Sequence, residues 1–98
     1  MKELDSQNRN LIYQLNIGDI IEMSDYRNTS IKGRIIGLDA YSKRSLNDPY
    51  SGIITWEVLP EYQEITCPDI EFNTYIGWVF EQKNRYKFYK RNIINFNF

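Results

Sequence analysis

Two short runs of β-branched residues, each broken by glycine, constrain this chain more than any other feature. Ile17-Gly18-Asp19-Ile20-Ile21-Glu22-Met23 is followed, across the polar stretch from Ser24 to Ser30, by Ile31-Lys32-Gly33-Arg34-Ile35-Ile36-Gly37-Leu38-Asp39. Such a pair reads as strand, turn, strand, at about Asp19–Ser24 and Ile31–Leu38. Glycines at these places allow the sharp bends that curl a short sheet. Composition points the same way. Fourteen isoleucines, ten asparagines and eight tyrosines stand against one alanine, Ala40. Isoleucine and tyrosine suit strands, asparagine suits turns, and scarce alanine removes the best helix former.

Later segments extend the pattern. Ile53–Leu59 alternates, with Ile54, Trp56 and Val58 on one face, and Pro60 ends it. A short edge strand is expected around Glu64–Cys67. A last hairpin is expected from Tyr75 to about Gln82, turning near Lys83-Asn84 and returning from Arg85 to Arg91. Trp56 and Trp78 both interrupt apolar runs and are assigned to the core. Leu11, Ile12 and Leu15 have helical spacing over a very short stretch. The tail Asn92–Phe98 alternates and is a candidate last strand. Residues 1–10 read as a polar, flexible leader and residues 11–98 as one β-rich domain. The fold class expected is mostly β: one small antiparallel barrel or curled sheet of SH3-like type, with five or six strands and little helix.

The chemistry excluded is as informative. Histidine is absent, which removes the usual general base and the usual transition-metal ligand. The lone cysteine, Cys67, has no basic neighbour in sequence to lower its pKa and reads as a structural thiol. No phosphate-cradling glycine loop or calcium loop is present. Neither catalytic residues nor a cofactor nor a metal is therefore expected. Gly18-Asp19-Ile20 with Gly33-Arg34-Ile35-Ile36 is faintly similar to the opening of small toxin-type ribonucleases on SH3-like barrels. It lacks their inter-strand proline, and unrelated barrels share the pattern, so it identifies no family.

Two stretches carry binding chemistry. The connection from Tyr41 to Tyr50 holds Tyr41, Lys43, Arg44 and Tyr50, residue types that dominate interfaces, on a long loop of a small scaffold. The second is Lys83-Asn84-Arg85-Tyr86-Lys87-Phe88-Tyr89-Lys90-Arg91, where Lys83, Arg85, Tyr86, Lys87 and Lys90 form a basic-aromatic platform for a nucleic acid or nucleotide. Its structural alternative is a half-buried strand with aromatics inward. A pI near 5.4 is low for a phosphate-backbone binder. Charge is segregated: residues 45–82 hold seven acids and no Lys or Arg, and residues 83–98 hold five cations and no acid. Either these strands lie side by side and pair, or the surface is bipolar.

The expectation is a non-enzymatic intracellular domain that binds a protein, with nucleic acid or nucleotide as the rival partner and no membrane. The usage matches AT-rich genomes, and small size without chemistry suits a phage or mobile-element inhibitor or adaptor. No apolar run approaches the ~20 residues of a membrane span, and no signal peptide opens the chain.

Overall fold

The computed structural model describes residues 2–26, 28–39, 52–66 and 68–91. Six strands form one antiparallel sheet: β1 (Glu3–Leu4), β2 (Ile20–Tyr26), β3 (Thr29–Asp39), β4 (Ile53–Val58), β5 (Glu71–Tyr75) and β6 (Tyr86–Tyr89). Three short α-helices accompany it, α1 (Leu11–Gln14), α2 (Gln63–Thr66) and α3 (Ile76–Glu81), with a 3-10 turn at Pro60–Tyr62. The spatial order is β1-β6-β2-β3-β4-β5, so the sheet is curled and not closed among the described residues. The β-rich class and the opening strand pair stand as expected.

One sheet face is the core. Ile21 and Met23 of β2, Ile31 and Ile35 of β3, Ile54, Trp56 and Val58 of β4, and Tyr86 and Phe88 of β6 are all buried on it. Leu11, Ile12 and Leu15 from α1 and its end, with Ile76 and Val79 of α3, close the same cluster. Period-two alternation sends the intervening residues to the other face, where Arg34 and Lys87 are exposed. Trp56 organises the centre. Its indole N–H donates to the Thr74 hydroxyl at 2.9 Å, and its ring stacks on Phe72 at 4.9 Å. Gly33 lies under that indole, and a Cβ there would overlap the ring.

Four expectations are corrected. The stretch around Glu64 is helical, not an edge strand: Pro60 sits in the first turn, where its missing N–H costs nothing, and the Gln63 amide donates to the Val58 carbonyl. Residues 76–81 form α3, not a hairpin arm, because a short apolar run has no period strong enough to choose between helix and strand. Trp78 is on that helix's exposed side, not in the core. The acidic and basic strands do not lie side by side: β2 and β3 separate β6 from β4 and β5. Within the segment read as a flexible leader, β1 pairs with β6, Glu3 opposite Tyr89 and Leu4 opposite Phe88. The tail from Asn92 and Cys67 lie outside the described residues.

Candidate functional site

Tyr41, Lys43, Arg44 and Tyr50 lie outside the described residues. The stems of their segment are fixed, however, and the sheet register places them. The chain departs after Asp39 and re-enters at Gly52; Asp39 is opposite Ile53, and Ile53 is opposite Tyr75. The segment with the predicted binding residues therefore begins and ends at the same end of the sheet as the junction of β5 and α3.

That junction carries an exposed aromatic pair. Strand alternation turns Thr74 inward and Tyr75 outward. The helix then starts at Ile76, whose N–H donates to the Gly52 carbonyl at 3.0 Å. Ile76 and Val79, three apart, face the core, while Trp78 falls on the side of Tyr75. The two rings meet edge to face, 4.7 Å between centroids and 75° between planes. Tyr75 is 47% exposed and Trp78 44%. A pair of this geometry is worth about 0.5–1.5 kcal/mol beyond area burial, so it holds a preformed aromatic surface in water.

The basic-aromatic platform assembles only in part. Tyr86 is buried in the core and offers no face for stacking. Lys90 is committed elsewhere: its ammonium donates to Asp19 Oδ2 at 2.9 Å, Asn16 Oδ1 at 2.6 Å and the Gln14 carbonyl at 3.0 Å. Three donors meet three acceptors, leaving none for a phosphate. Arg85 donates to Gln82 Oε1 and lies 5.9 Å from the Tyr86 ring centroid. Lys83 and Lys87 are exposed, and Lys87 sits opposite Glu22. Beside them the Tyr89 hydroxyl donates to Glu22 at 3.2 Å; desolvation first, then the Glu22 charge, raises the phenol above its ordinary pKa.

No match was found among protein-family models, curated proteins or solved structures. The chemistry of the site is therefore read from its own residues.

Among the described residues Asp19 is the most buried carboxylate, and its bonds are structural. Besides Lys90 it accepts from the backbone N–H groups of Asn16 at 2.8 Å and Arg91 at 3.0 Å. Gly18 before it has φ +96°, and a Cβ there would press on the Arg91 side chain. Gly18-Asp19 thus ties the start of β2 to the end of β6. Among the described residues no group of three or more acidic or thiol side chains is placed to hold a metal ion, and no helix is long and apolar enough to cross a membrane. At this end of the sheet the structure presents the exposed Tyr75–Trp78 pair. Sequence reasoning missed Trp78 there; the signal was its i, i+3 spacing from Tyr75 beside the same spacing of Ile76 and Val79.

Proposed function

We propose that this chain is a non-enzymatic binding module that engages a protein partner through Tyr75 and Trp78, with Tyr41 and Tyr50 of the adjoining segment as further contacts. The observation that carries this reading is the half-exposed edge-to-face pair, fixed where residues 40–51 leave and rejoin the sheet. Tryptophan and tyrosine are the side chains most enriched among residues that dominate binding energy. Rigid aromatic anchors also bind at low entropic cost. A protein acting this way works by occupancy, as an inhibitor or adaptor, and its AT-rich usage is consistent with a phage or mobile-element origin.

The test is capture from a low-GC bacterial lysate by the wild-type chain, then titration of the purified captured protein. Trp78→Ala should weaken binding by ~2 kcal/mol or more, roughly thirtyfold. Its melting temperature should stay near wild type, because Trp78 is largely outside the core. Tyr41→Ala and Tyr50→Ala probe the adjoining segment in the same assay. Undiminished binding by Trp78→Ala rejects the reading. So does salt-sensitive micromolar binding to single-stranded DNA or RNA that is lost when Arg85 and Lys87 are reversed to Glu.

A further inference from the structure

The open edge of the sheet adds a mode of binding to this surface. Strand β5 is terminal in the sheet order, and its β4 side is fully used. The Val58 N–H donates to the Ile70 carbonyl at 2.7 Å and the Ile76 N–H to the Gly52 carbonyl at 3.0 Å. With β4–β5 register Trp56 to Phe72 and Ile54 to Thr74, even-numbered residues of this stretch direct their N–H and C=O groups to β4. Glu71 and Asn73 direct both groups the other way and Tyr75 its N–H, since its carbonyl caps the start of α3, and among the described residues nothing pairs with these edge groups. The opposite edge, β1, is only two residues long.

Charge says what would fit there. Across the sheet, Arg34 is opposite Glu57, and Glu57 is opposite Glu71. The Glu57–Glu71 position is a non-hydrogen-bonded pair, the closer type, with Cα atoms about 4.5 Å apart. Like charges facing each other there destabilise the sheet, and the row ends on the Glu71 carboxylate at the open edge. The next position outward calls for a cation. The stretch from 45 to 82 is acidic throughout, which disfavours a second copy of the same edge. Apolar footholds flank the strand. Before Glu71 there is a cleft of about 410 Å³ lined by Gln63, Glu64, Pro68 and Ile70; after it stand Tyr75 and Trp78. Ile70 to Tyr75 spans about 17 Å of extended chain.

We propose that β5 accepts an extended partner segment as a seventh strand, with a lysine or arginine beside Glu71 and apolar residues toward the Ile70 cleft and the Tyr75–Trp78 pair. This rests on the protein-binding reading and specifies its geometry. Main-chain bonds to the Glu71, Asn73 and Tyr75 edge supply affinity, and the carboxylate and the two apolar ends select the sequence.

The probe is an extended octapeptide with lysine opposite Glu71, threonine opposite Asn73 and valine at the other positions, with the same peptide carrying glutamate for that lysine, or a central proline, as controls. Amide hydrogen exchange on the labelled full chain should slow at Glu71, Asn73 and Tyr75 when the lysine peptide binds, and neither control should reproduce it. Glu71→Lys should weaken binding of the peptide, and of any captured partner, roughly tenfold while raising the melting temperature, since it turns a like-charge pair into an opposite one. Asn73→Pro removes an N–H that points off the sheet and should also abolish binding. Failure of the lysine peptide to bind, binding without protection of those three amides, or undiminished affinity in Glu71→Lys overturns the proposal. So does a dimer in sedimentation with the three amides already protected. If a captured partner depends on Trp78 but not on Glu71 or Asn73, strand addition fails and the aromatic reading survives.

Discussion

At the scale of single residues, Asp19 does the most to hold distant parts of the chain together. Its carboxylate is nearly inaccessible and takes bonds from Lys90, from the Asn16 amide and from the Arg91 amide, the last two from opposite ends of the described chain. Removing one partner of a buried ionic contact leaves the others desolvated and unpaired. Asp19→Ala should therefore cost about 3 kcal/mol, and Lys90→Ala clearly less, since the lysine is a third exposed and water replaces part of its interaction. Urea unfolding midpoints of the two variants give the comparison. The sequence marks Gly18-Asp19 as a strand entry, and that much is legible from the glycine and the β-branched run behind it. The carboxylate's task is not legible, because two of its three partners lie more than seventy residues away and nothing local distinguishes a buried aspartate from a solvated one. Tyr86 illustrates the converse: alternation in Arg85–Tyr89 gives its face correctly, and only the burial of that face tells against a stacking role.

At the scale of elements, the two tryptophans report which predictions local pattern can support. Trp56 belongs to a strand with clean alternation between Ile54 and Val58, so its inward position follows from the sequence. Trp78 sits in Tyr75-Ile76-Gly77-Trp78-Val79-Phe80, where apolar residues are too dense to reveal a period, and β-favouring composition pulls the reading toward a strand. The sheet itself settles the matter, since β5 has already used the pairing capacity of β4 before α3 begins and the helix covers the end of the core. Fluorescence separates the pair. Trp56 should emit at short wavelength and resist iodide, whereas Trp78 should emit red-shifted and be quenched. Trp78→Phe should remove the quenchable fraction and leave the rest unchanged; residual quenching in that variant would place Trp56 in contact with water.

At the scale of the whole molecule, the strand order decides both folding and charge. Strand β6 is inserted between β1 and β2, so residues 86–89 cover the free edge of β2, and it brings Tyr86 and Phe88 into the core. A chain ending at Gln82 should lose its cooperative thermal transition, because β2 would keep a bare edge and the core would lose two aromatic side chains. Circular dichroism during heating checks this; a sharp transition in the truncated chain would mean that β2–β5 fold alone. The same order keeps basic β6 apart from acidic β4 and β5. Direct pairing of these acidic and basic strands is compatible with composition, and only the order of strands, which no local pattern encodes, rules it out.

The two edges of the sheet are unequal, and this limits what strand pairing can build. Endless growth by edge-to-edge stacking needs a competent strand on both sides of every unit. Here one side offers five residues and the other a two-residue stub closing on Lys2 and Lys90. On the proposed mode of binding each molecule is a chain terminator: among the described residues it offers one edge to receive a strand, β5, and no matching strand to pass on, so edge-to-edge addition stops after a single step short of a filament.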